Sequence, residues 1–143
     1  MKPEKSYLKP SILKQAIAVA MASDAPKKMG AILLKRNRVI AAATNEAAKT
    51  HTVQYFAAQN AAKIWGDPNL AKKTLPHCEV KCLIKAKEDA DTIVVCRVGG
   101  HGGKELRMSR PCRICTTYLR NCSSVVHVHY STEEGFLYEY WGE

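Results

Sequence analysis

Apolar positions fall at helical spacing from about residue 10, where Ile12, Leu13, Ala16, Ile17, Val19, Ala20 and Met21 recur every three or four residues with lysines between them. Pro10 suits a first turn and Ser23-Asp24-Ala25-Pro26 ends the run, so the pattern predicts an amphipathic helix covering a sheet. Residues 29–34 (MGAILL) read as a buried strand, 35–38 as a polar turn and 39–43 as the antiparallel neighbour. Val53, Phe56, Ala57, Asn60, Ala61, Ile64 and Trp65 then return to helical steps until Gly66-Asp67-Pro68 stops them. A helix from 77 to about 88 follows, with Val80, Leu83, Ile84 and Lys87 along one side. Residues 92–98 (TIVVCRV) predict a central strand, and Cys112, Cys115, Leu119 and Cys122 mark another helix. Residues 125–130 alternate as a strand with His127 and His129 on one side, a polar face rather than a metal site because no third ligand is near. The tail, with Phe136, Leu137, Tyr138, Tyr140 and Trp141, is too aromatic for a free end and predicts packing on the sheet or against another subunit.

Helices interleaved with strands over 143 residues predict one α/β domain. No apolar run approaches the ~20 residues that span a bilayer, and the first residues lack the apolar core of a signal peptide, so a cytoplasmic protein with no membrane partner is expected. The six cysteines lie in apolar or helical contexts, which predicts reduced thiols. Twenty-two basic residues against 13 acidic ones give a net charge of +9, concentrated in residues 1–38, where Glu4 and Asp24 are the only acids. An anionic partner is favoured, and a nucleotide phosphate, a tRNA or single-stranded DNA would each satisfy the sign.

The chemistry gathers in two short motifs, His77-Cys78-Glu79 and Pro111-Cys112-Arg113-Ile114-Cys115. A CxxC pair opening a helix offers two soft sulfur ligands, a distant His completes three, and a fourth tetrahedral position stays open for water. Two residues after His77, Glu79 stands close enough to move protons without ligating. CxxC alone would also fit a thiol–disulfide couple or a closed structural zinc site, with Cys78, Cys82 or Cys122 as a fourth ligand. The glycine-rich loop at 99–103 lacks a phosphate-loop pattern and reads as a flexible lid, with His101 facing solvent.

The combination His-x-Glu and Pro-Cys-x-x-Cys resembles the zinc-dependent cytidine/deoxycytidylate deaminase superfamily, and Lys49-Thr50-His51 resembles a segment of its small stand-alone, virus-type members. That resemblance implies a three-layer α/β/α fold around a central mixed five-stranded sheet, with residues 1–143 as a single domain carrying a helical insertion at about 49–76. It implies Zn2+ held by His77, Cys112 and Cys115, which would lower the pKa of a bound water, and Glu79 as proton shuttle for attack on C4 of cytosine or C6 of adenine. Asn45 matches the place of an Asn that contacts the substrate sugar, or it caps the strand in a turn. Lys49 and His51 are placed to reach a phosphate or the sugar, while His51 is equally suited to capping the next helix. Cys78 stands where the family has Ala, whose backbone amide contacts the base, and the Arg110 carbonyl would accept a hydrogen bond from the leaving amine. Arg107, Arg110 and Arg113 are candidates for an anion contact, or ordinary surface arginines. The substrate favoured is a cytosine nucleotide of the deoxycytidylate type, because the His-Asp-Pro-Thr-Ala-His-Ala-Glu approach of tRNA-adenosine deaminases is missing. A polynucleotide deaminase is the alternative, a structural-zinc nucleic-acid-binding module a third reading, and a homo-oligomer is expected.

Overall fold

The computed structural model describes residues 2–45, 51–73 and 77–142. Lys49 falls outside them, with the rest of residues 46–50. The elements are β1 (Glu4–Lys5), α1 (Pro10–Met21), β2 (Lys28–Lys35), β3 (Arg38–Thr44), α2 (Thr52–Trp65), α3 (Cys78–Lys85), β4 (Thr92–Gly99), β5 (Glu105–Arg107), α4 (Arg113–Cys122), β6 (His127–Thr132) and β7 (Gly135–Tyr140), with 3-10 turns at Pro68–Lys72 and His101–Gly103.

The sheet runs β1-β7-β6-β4-β2-β3, with β5 added to β4. Seven strands replace the five expected. The additions, β1 and β5, are two and three residues long, too short to carry a readable alternation. Every pairing is antiparallel except β4 with β6. A parallel pair requires a crossover, and α4 provides it. Because α3 leads into β4 and α4 into β6, both helices start at the carboxyl end of the central strands. The first strand pair turns through Arg36 and Asn37, both at positive φ (51° and 64°), the conformation of the two-residue hairpin turn whose twist matches the strands. Asp91 steadies that turn by accepting the Arg36 N–H at 2.9 Å.

Helix α1 buries Ile12, Ala16 and Ala20 against Ile32, Leu34, Val94 and Cys96 on one face of the sheet. It crosses so close to β2 that a Cβ on Gly30 would lie 2.5 Å from the Ala20 nitrogen, which leaves room only for glycine there. The opposite face holds Cys78, Cys82 and Leu119 of α3 and α4 against Ala31, Leu33, Ile93, Val95 and Val128. Each fully buried aliphatic side chain in this double core contributes about 1.5–3 kcal/mol of transfer free energy.

Two expectations shift. Helix α2 packs on α4 through Ala57, Ala58 and Ala61 against Ile114, while Phe56 and Ile64 of the expected stripe are largely exposed. Three alanines allow a close helix approach that the larger side chains would prevent, so the buried face is rotated by about one residue. Helix α3 stops at Lys85 rather than near 88 because Ala86 turns extended (φ −68°, ψ 133°). Beyond it Glu88 forms ion pairs with Lys35 and Arg38 at 3.7 and 3.2 Å.

Candidate metal centre and its cavity

Helix α3 begins on His77 and α4 on Cys112, and neither N-cap side chain bonds its own helix. A helix start leaves its first backbone N–H groups unpaired, and the usual cap residues would fill that need. Here the cap side chains turn toward one another instead. His77 Nδ1 lies 3.2 Å from Cys115 Sγ and 3.5 Å from Cys112 Sγ, and the three donor atoms all fall within 4.8 Å of one another. A tetrahedral ion bonded to nitrogen at ~2.0 Å and to sulfur at ~2.3 Å has N···S edges of about 3.6 Å, so the group fits such an ion with little rearrangement. Among the described residues this is the one cluster of three His, Cys, Asp or Glu side chains so arranged. No fourth protein donor joins it there, which leaves a coordination position for water or substrate.

The electrostatics suit a cation. The Cys115 thiol and the His77 imidazole hold the Cys112 thiol down to about 4, against the effect of burial. That same hydrogen bond, with burial, pushes the Cys115 thiol well up. Burial opposes the His77 imidazolium, but the bond and charge of Cys112, with Glu79, raise its pKa on balance. A divalent ion would displace these protons. Glu79 is 2% exposed, and burial followed by the Cys112 charge raises its carboxyl above the ordinary value. A raised carboxylate beside an open coordination position is what a proton shuttle needs.

Cys78, fully buried, donates its thiol to Glu79 Oε1 at 3.1 Å, and burial with the carboxylate charge pushes its own pKa well up. Its sulfur is thus engaged with Glu79 and is not one of the three grouped donor atoms. The backbone of His77 is held by Gln54, whose Oε1 accepts the His77 N–H at 3.2 Å. Gln54 was missed in the sequence. The signal was a polar residue at the head of a buried alanine stripe, three, four and seven positions before Ala57, Ala58 and Ala61.

His77, Glu79 and Cys112 share a cavity of about 350 Å³ with Asn45, Ser109, Lys27, Lys73 and Arg97. Asn45 holds the turn at the strand end and also lines the cavity. Its Oδ1 accepts Ser23 Oγ–H and Met29 N–H at 2.7 and 3.2 Å and its Nδ2 donates to the Lys27 carbonyl at 2.7 Å, yet it faces the cavity with one amide hydrogen unpaired among the described residues. Ser109 ties the approach to the Cys motif onto the sheet, bonding the carbonyls of Val95 and Ser131 at 2.9 and 3.3 Å.

The remaining expected contacts lie elsewhere. His51 caps α2, its Nδ1 accepting Val53 N–H at 3.0 Å. Arg107 pairs with Glu105 at 2.8 Å, Arg113 with Asp67 at 2.7 Å, and Arg110 with Glu139 through two bonds of 2.7 and 3.0 Å. Arg110 does line the cavity, but its guanidinium is committed to Glu139, which also accepts Tyr130 O–H at 2.6 Å and Trp141 N–H at 3.2 Å. The Arg110 pair, then the Tyr130 and Trp141 bonds, hold the Glu139 carboxyl down to about 2 against burial. The aromatic tail thus packs as β7 and clamps the residue before Pro111-Cys112. His129 is buried with Nδ1 2.8 Å from Ser6 Oγ and its ring against Tyr7, so the His127 and His129 face is not simply polar.

No protein-family model matches this chain, and no curated protein matches it either. No helix among the described residues is long and apolar enough to cross a membrane.

Proposed function

We propose that the protein is a zinc-dependent hydrolytic deaminase acting on a cytosine nucleotide of the deoxycytidylate type. The observation that carries this reading is the buried Glu79 carboxylate lining the same cavity as His77 and Cys112 of the His77–Cys112–Cys115 donor triad. A redox CxxC would need neither the His nor the acid, and a closed structural site would need a fourth protein donor. Two cysteine sulfurs and an imidazole nitrogen within 4.8 Å of one another are a donor set that favours zinc among the common divalent ions. Zinc, when bound there, supplies Lewis-acid activation of the attacking water.

The chain's own residues supply the rest. Glu79 takes a proton from the attacking water and returns protons to the ring nitrogen and to the departing amine, a cycle its raised pKa suits. The Cys78 thiol holds one oxygen of that carboxylate, leaving the other to the reaction. Asn45, fixed by the turn around Lys27 and Met29, offers its remaining amide hydrogen to a sugar hydroxyl. Arg110, whose side chain Glu139 holds, would offer the carbonyl that precedes Pro111 to the leaving amine. Ammonia leaves and the uracil form remains.

A second reading, deamination within a single strand, is favoured by one feature. A neighbouring cavity of about 380 Å³ shares Arg110 and adds Trp65, Arg113 and Arg120, aromatic and cationic groups of the kind that track a polynucleotide. Ammonia release by purified zinc-loaded protein from cytidine, deoxycytidine, their monophosphates, adenosine and a single-stranded oligonucleotide tests both. Fastest turnover of deoxycytidine monophosphate supports the first reading. Turnover of the oligonucleotide alone, with affinity falling steeply in salt, supports the second.

A further inference from the structure

We infer that Arg97, with Lys27 and Lys73, forms a seat for the terminal phosphate of a mononucleotide in the metal cavity. The inference deepens the deaminase reading and rests on it. All three cations line the cavity that holds His77 and Glu79, and none has a carboxylate partner among the described residues. That sets them apart from Arg107, Arg110 and Arg113, each neutralised by an acid. Arg97 is the least exposed of the three. It is half-buried near the end of β4, across from Met29 on β2 and Arg107 on β5. A partly desolvated guanidinium without a counter-charge is costly, and its planar fork suits two oxygens of one phosphate. Lys27 and Lys73 are exposed and stand at the rim, where point charges can complete neutralisation of a dianion.

Size and charge favour a single nucleotide over a strand. The cavity is near the lower end of the ~300–1,000 Å³ typical of small-molecule sites. The arginines that would have to follow further phosphates, Arg110 in the cavity wall and Arg113 beyond it, already carry their carboxylates. A phosphate monoester brings about two negative charges to three cations, whereas each diester of a strand brings one.

The test compares kcat/KM for deoxycytidine 5′-monophosphate and for deoxycytidine in the zinc-loaded full chain and in Arg97→Gln. The wild type should favour the monophosphate. The substitution should cut that preference about 10- to 100-fold, the range expected for a lost charge-assisted pair, and Arg97→Lys should restore part of it. The double substitution of Lys27 and Lys73 to Gln, at exposed positions that do not threaten folding, should lower the same ratio about 3- to 10-fold. Inorganic phosphate titrated calorimetrically into each protein reads the seat without any turnover. Arg97-dependent phosphate binding in a chain that deaminates nothing would support the seat and defeat the deaminase reading. Deamination whose monophosphate preference is unchanged in both variants would overturn the seat and leave the deaminase reading standing.

Discussion

His51 at the start of α2 and His77 at the start of α3 occupy the same kind of position, each the N-cap of its helix in extended backbone (φ/ψ −119°/140° and −81°/154°). His51 turns its Nδ1 back to the Val53 N–H and satisfies its own helix. His77 leaves the first amides of α3 without a side-chain cap and turns its Nδ1 to two sulfurs from another helix. The exposed histidine does a local job that Ser, Thr or Asp would do as well. The half-buried one forgoes that local stabilisation and joins the group of donors that could hold a metal ion.

The strongest way to break this contrast is to remove the second imidazole. His77→Ala should lower bound zinc from about one equivalent per chain to about a tenth or less after dialysis against a weak chelator, while His51→Ala keeps the full equivalent. Equal metal content in the two variants would erase the distinction. Next in size is Glu79→Gln. It should retain zinc, since Glu79 is not in the donor triad, and lower deamination about 10²- to 10⁴-fold.

A third histidine sharpens the comparison through pH. Burial, then the charge of His127, lowers the His129 pKa to about 4 from the ordinary 6.5, so the fold holds it neutral. The unfolded chain binds more protons between those values. The contribution is therefore present above pH 6.5 and is lost as pH falls toward 4, at roughly 2 kcal/mol between pH 7 and pH 5. Urea unfolding at the two pH values should show that loss, and His129→Gln should flatten it. The same slope in the variant would mean that another group is responsible. The smallest effect is that of His51→Ala on stability, about 1 kcal/mol in urea unfolding from loss of the cap.

What could be read from the chain alone divides along the same line. Local chemistry was legible: a Pro at the first turn of α1, a Gly at the end of α2 (φ 63°), and a Cys pair and a His placed at helix starts all appear as expected. The mixed α/β fold followed from those patterns. The choice among cations was not legible, because Arg107, Arg110 and Arg113 find acids two, 29 and 46 residues away and only the fold brings the last two pairs together. Nothing in the spacing separates a neutralised arginine from Arg97, whose place beside the cavity is set by the register of β4 against β2. The role of Gln54 was hidden for a related reason, since its target is a backbone N–H on another helix.

The central claim is a metal held by three protein atoms from two helix starts, with Glu79 beside a position left for the reaction. X-ray absorption at the zinc edge of the zinc-loaded chain tests it most directly. The account predicts two sulfur neighbours at about 2.3 Å and two nitrogen or oxygen neighbours near 2.0 Å, one of them exchangeable. Three or four sulfur neighbours, with Cys78 drawn away from Glu79 to close the site, would contradict it.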